Sequence, residues 1–132
     1  MNEEDLLLKR IMVCVTKQIN CQRLIEYGKN YANSDDELFI IHVTHSDFNF
    51  LGKSKENEAL VFLYEKAMEV GAELTVEKSD NVIDTLIEEV RTKEVNIVIL
   101  GESGEAKGPL NFITRFKDRL GQNVELIEVP AN

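Results

Sequence analysis

The sequence predicts an α/β fold: a single doubly wound domain, 1–132, with a five-stranded parallel sheet and helices on both faces. Three observations carry this expectation. Five short runs rich in Val, Ile and Leu alternate with four segments whose apolar residues recur at helical spacing. The first of these runs, "KRIMVCV", is nearly continuous in apolar residues, which suits a strand covered on both sides. At 132 residues the chain is long enough for one domain with a real core and short for two. A βαβαβαβαβ order implies parallel strands joined by right-handed crossovers.

The first strand is "KRIMVCV", residues 9–15. Cys14 inside it reads as a small buried hydrophobe. Cys21, Leu24, Ile25, Gly28 and Ala32 then line one face of a first helix. Asn33 to Asp36 form a polar turn. "ELFIIHVTH", 37–45, is a second buried strand, and "SDFNFLGKSKEN", 46–57, reads as a long connection. "EALVFLYEKAMEVG", 58–71, is a helix closed by Gly71. "AELTVEK" is the third strand. Asp80 or Asn81 caps the next helix, whose Ile83, Leu86, Ile87 and Val90 share a face. "VNIVILG" is the fourth strand. A last helix starts near Pro109, turns Phe112, Ile113, Phe116 and Leu120 inward, and stops at Gly121. "VELIEVP", 124–130, is the fifth strand.

Composition narrows the function. A formal net charge of -9 disfavours nucleic acid and anionic membranes as partners, because both need clustered Lys and Arg. The one basic island is Lys107, Arg115, Lys117 and Arg119. "MNEEDLLLKR" is neither a secretory signal nor a transit peptide, and no apolar stretch approaches a membrane span. Cys14 and Cys21 form no CxxC pair and fit a reducing compartment. The expected location is the cytoplasm.

Several chemistries lack their residues. There is no GxxxxGK followed by Ser or Thr, no GxGxxG and no GxSxG. A receiver domain would place acidic residues after the first strand, where Thr16 and Lys17 stand. His42 and His45 are three apart on a strand and point to opposite faces, so they do not share a metal. The acidic runs read as solvated faces. Nothing supplies an activated nucleophile or a strong base, so the expectation is a non-enzymatic protein with no metal.

In such sheets ligands bind beyond the carboxyl ends of the strands, where strand order reverses. The candidate site is therefore Thr16 and Lys17, the region from Val43 to His45, and the loop opened by Gly101 in "VNIVILGESGEAKGPLNFITRF". Gly101 is expected to turn the backbone with positive φ or to admit a ligand closely. With Ser103 between them, Gly101 and Gly104 could form an anion nest ahead of the positive end of a helix.

The element order, the long connection before the second helix and "NIVILGESG" resemble the universal stress protein superfamily over residues 9–130. "RIMVCVT" is most similar to the stress-protein-like domain of potassium-sensor histidine kinases. The resemblance implies strand order 3-2-1-4-5 and a non-enzymatic role in stress response or signalling. It also implies a homodimer paired through the edge strand 124–130. ATP-binding members carry a glycine pair like Gly101 and Gly104, then a Gly-Ser or Gly-Thr pair. Here Thr114 and Arg115 occupy that later place, and Thr16 stands where an Asp is usual. The ligand implied is ATP or another adenine nucleotide over Thr16, Lys17, Val43 and Gly101. Its phosphates would lie on Ser103, Gly104, Thr114 and Arg115, a guanidinium fork that suits phosphate. The kinase-associated relatives add cyclic di-adenosine monophosphate, whose S-x-S-x20-F-T-A-x-Y pattern is matched here at Phe39, with Thr16 in place of its first Ser and its other polar and aromatic partners absent. Two further readings stay open: a ligand-free dimerising interaction module, and a slow ATP hydrolase.

Overall fold

The computed structural model describes residues 8–15, 21–45, 53–101 and 112–130. In chain order they form β1 (Arg10–Cys14), α1 (Cys21–Tyr31), β2 (Glu37–His45), α2 (Lys53–Val70) and β3 (Glu73–Ser79). Next come α3 (Val82–Thr92), β4 (Ile97–Gly101), α4 (Phe112–Leu120) and β5 (Glu125–Val129). The strands make one parallel sheet in the order β3-β2-β1-β4-β5. The expected fold class, strand order and helix placement are all present.

Alternation along each strand sorts the core into two layers. Ile11, Val13, Ile40 and Ile99 pack with Leu24 and Ile25 of α1 and with Leu63, Ala67 and Val70 of α2. Met12, Cys14, Ile41, Val43, Val98 and Leu100 pack on the other face with α3 and α4. The first layer is closed by an absence. A β-carbon on Gly28 would stand 2.6 Å from Cγ2 of Val13 and 3.3 Å from Cδ1 of Leu38. α1 therefore lies against the sheet only because residue 28 has no side chain.

Helix ends follow local chemistry. Asn81 caps α3, its side chain accepting from the N–H of Asp84 at 3.0 Å; of the two candidates, Asn81 is the cap. Ile83, Leu86, Ile87 and Val90 are all buried. At the end of α2, Gly71 takes φ 73. The N–H of Ala72 reaches back to the carbonyl of Ala67 at 2.8 Å, the backward bond of a Schellman cap. α3 ends with the same bonds, Val95 to Val90 at 2.9 Å and Glu94 to Arg91 at 3.2 Å. There the left-handed position is held by Glu94, with φ 55.

Boundaries differ from the sequence reading by one or two residues at several strand ends and by more at the start of one helix. α2 begins at Lys53, so residues 53–57 are helix and not connection. Their polar side chains hid the turn, although "KSKEN" holds good helix formers and no Pro or Gly. β3 runs one residue past "AELTVEK", to Ser79. The expected start of the last helix near Pro109 lies outside the described residues. Within α4, Ile113 and Phe116 are buried, and Phe112 and Leu120 are half-buried against the same layer.

The amino ends of the strands are sealed by two side chains. The Oδ1 of Asn96 accepts the N–H of Arg10 at 2.9 Å, and its Nδ2 donates to the carbonyl of Leu8 at 3.2 Å. Asp36 accepts the N–H of Lys9 at 2.9 Å and that of Asn33 at 2.8 Å, and meets the Lys9 ammonium at 3.4 Å. Burial works to raise the Asp36 carboxyl pKa, but these donors outweigh it and hold it below the ordinary carboxylate value.

Candidate functional site

The strand order reverses between β1 and β4. From β1 the chain winds outward through β2 to β3, then returns to β4 and winds outward to β5. α1 and α2 consequently cover one face, α3 and α4 the other. In sheets of this kind ligands bind beyond the carboxyl ends of the strands that flank the reversal, here β1 and β4.

The register locates the rim. Cys14 is level with Ile41 on one side and Leu100 on the other. Val15 follows directly on β1. Val15 donates its N–H to the carbonyl of Ile41 at 2.9 Å. Its own carbonyl lies 2.7 Å from Nδ1 of His42, so a side chain ties the tip of β1 to β2. His42 is half-buried on the sheet face, as expected, with this added bond.

Of the residues singled out in the sequence, Thr16, Lys17, Ser103 and Gly104 lie outside the described residues. Gly101 closes β4, paired with Val129. Its backbone is ordinary strand, without the positive φ that the sequence suggested; that conformation belongs to Gly71 and Gly121. A β-carbon at Gly101 would touch Leu24 of α1 at 3.5 Å, an ordinary contact. The ladder to Val129 keeps residue 101 extended. Val43 is buried in the α3 and α4 layer, because alternation sends its side chain there. It can offer a ligand only its main chain.

Thr114 is half-buried and Arg115 exposed in the first turns of α4. Arg119, grouped with Arg115 by helical spacing, is committed elsewhere: it pairs with Asp84 of α3. Among the described residues Arg115 has no such carboxylate. Sequence reasoning missed Arg23, half-buried in the first turn of α1. Its Nη1 donates to the carbonyl of Pro130, and its Nη2 is buried with no hydrogen-bond partner. The signal was weak, a lone Arg on a helix with no motif around it.

Among the described residues an open groove of about 440 Å³ lies at the other end of the sheet, between the ends of α3 and α4. Its lining includes Ile87, Arg91, Glu94, Asn96 and Arg119. It is a poor binding site because three of its polar side chains are already used. Arg91 meets Glu88, Arg119 meets Asp84, and Asn96 bridges backbone. Cys14 is equally silent, since burial pushes its thiol up to about 12 and no thiolate forms at neutral pH. Among the described residues no three His, Cys, Asp or Glu side chains converge for a metal. No helix there is long and apolar enough to cross a membrane.

Solved structures share this architecture. A universal stress protein in complex with cAMP superposes with a TM-score of 0.64 over 95% of this chain and 99% of its own, at 14% identity. The chain has the universal stress protein fold. A universal stress protein family protein from Arabidopsis thaliana with AMP bound matches at TM-score 0.62 and 20% identity, over 94% of this chain and 92% of its own. A universal stress protein from Archaeoglobus fulgidus matches at 0.60 and 16%, over 92% and 98%. No protein-family model and no curated protein matches the sequence. At these identities the likeness establishes the universal stress protein fold alone.

Proposed function

We propose that this chain is a universal stress protein-like module that binds an adenine nucleotide beyond β1 and β4 and acts in stress response or signalling without catalysis. The observation that carries the reading is the reversal of strand order at β1 and β4, with Gly101 as the last paired residue before the glycine-bearing loop. Two universal stress proteins of this fold hold AMP and cAMP, which supports an adenine nucleotide as the ligand class. The closer likeness to the domain of potassium-sensor kinases rests on "RIMVCVT" alone. The site is tested by thermal shift with ATP, ADP, AMP, cyclic di-adenosine monophosphate and inorganic phosphate, each with and without magnesium. A ligand at a hundred times its dissociation constant adds about 2.7 kcal/mol, several degrees for a domain of this size. No shift at millimolar ligand rejects the reading.

A second reading, a cytoplasmic homodimer working as an interaction module, is favoured by β5. It stands at the sheet edge with β4 as its one neighbour, and an uncovered edge invites pairing. Sedimentation equilibrium decides it: a dimer that an Ile127→Pro substitution dissociates supports pairing through β5, and a monomer at all concentrations rejects it.

A further inference from the structure

We propose that the outer face of α2 docks a basic amphipathic helix of another protein. This surface is separate from the nucleotide site and from the β5 edge. α2 is apolar on two sides. Leu63, Ala67 and Val70 are buried in the layer beneath it. Val61, Tyr64 and Met68 stand outward, 56%, 58% and 68% exposed. Their spacing of three and four places them in one row along the helix. Single exposed apolar residues are ordinary, but among the described residues no other helix or strand exposes more than one large apolar side chain. On β3, at the sheet edge, that one is Val76. It alternates with Leu74, which packs into the α1 and α2 layer, so Val76 points to the side that α2 covers.

Charge says what covers the row. Glu58, Glu65 and Glu69 are exposed beside it, at helical spacing along one flank. From residue 58 onward Lys66 is the one cation of α2, and it serves Glu69 at 3.1 Å and Glu26 of α1 at 3.5 Å. Among the described residues Glu58 and Glu65 meet no cation. A basic partner neutralises this flank, and the acidic field steers its approach. A second copy does the opposite. Two antiparallel α2 helices related by a two-fold axis bring their glutamate flanks to the same side, and each copy carries a formal net charge of -9. An anionic membrane is repelled for the same reason. A narrow apolar row on a helix accepts the row of another helix, packed ridge into groove, with Lys or Arg beside it to reach the glutamates. Met68 and Tyr64 suit such a contact, one adaptable and the other apolar with a polar tip. The row is short, so the complex is a transient one.

The test is fluorescence anisotropy of two labelled peptides titrated with the full chain. Both are about 18 residues long, enough to form a helix, with the same leucine row. One carries Lys and Arg elsewhere, the other Glu. The basic peptide should bind the wild type with micromolar affinity, and the acidic one at least about tenfold more weakly. Tyr64→Ser combined with Met68→Ser should weaken the basic peptide by about tenfold or more. Glu58→Lys combined with Glu65→Lys should weaken it by about tenfold and strengthen the acidic peptide. Glu88→Lys combined with Glu94→Lys makes the same charge change at the end of α3, and should shift either peptide by less than about threefold. The exchange at 58 and 65 decides by itself if the serine variant does not fold. No binding of the basic peptide at millimolar concentration overturns the inference. Equal weakening by the two lysine exchanges means attraction to net charge alone and overturns it, as does unchanged affinity in the serine variant. A wild-type dimer that the serine variant dissociates, read by sedimentation, makes a second copy the occupant and also overturns it.

Discussion

Gly28 and Val13 are in such close approach that a β-carbon on the glycine would lie 2.6 Å from the valine Cγ2. That contact sets the depth at which α1 sits on the sheet. Gly28→Ala should destabilise the protein by about 1–3 kcal/mol, the usual cost of overpacking a core. Val13→Ala removes the colliding methyl. The double variant should therefore be more stable than the sum of the two single losses, measured by urea unfolding as a double-mutant cycle. Strict additivity would mean that the helix shifts freely and that the contact does not set its depth.

Glu94 and Gly71 occupy the same position in equivalent helix caps, but only one is a glycine. A left-handed backbone costs a non-glycine residue roughly 1 kcal/mol. Glu94→Gly should raise stability by about 0.5–1 kcal/mol, and Gly71→Ala should lower it by about 1 kcal/mol. Thermal melts read both, and a Glu94→Gly variant less stable than wild type would show that Glu94 makes a compensating contact.

Asp36 gives the fold an acid limit. Its carboxyl pKa is depressed in the folded chain, so its contribution is fully present above the unfolded value of about 3.9. It is lost as pH falls through the lower folded value. Asp36→Asn should flatten the fall in unfolding free energy below about pH 4, and at pH 7 it should cost roughly 1–3 kcal/mol for the weakened N–H partners. Urea melts between pH 7 and 2 measure the two effects.

Cys14 is 3% exposed with its thiol pushed up to about 12. In a Cys21→Ser background, labelling by a thiol reagent at pH 7.5 (about the thiol range of an exposed Cys is 8.5) should be negligible in the folded chain. It should rise in step with denaturant-induced opening. Fast labelling without denaturant would show that the end of β1 opens locally.

Much of the fold was legible because it depends on local pattern. β-branched runs marked all five strands, and the 83, 86, 87 and 90 spacing marked the buried face of α3. Asn81, Gly71 and Gly121 act within a turn of their own position. The misreading was also local, a polar first turn of α2 taken for a loop; of the two roles offered for Gly101, a bend or a close approach, the backbone does not take the bend. Glu94 escaped notice because no residue type announces a left-handed conformation in glutamate.

The candidate site divides in the same way. By itself the sequence determined the order of elements, hence a parallel sheet and the end of it at which a ligand is expected, because hydrophobic period and chain connectivity leave few alternatives. Only the tertiary structure decided which charged groups stand there. Arg119 is drawn off by Asp84, 35 residues away in the chain, and Arg23 is fixed by Pro130, 107 residues away. Such pairings depend on distances created when α1, α3, α4 and β5 settle on the sheet. Nothing in the spacing of residues along the chain encodes them.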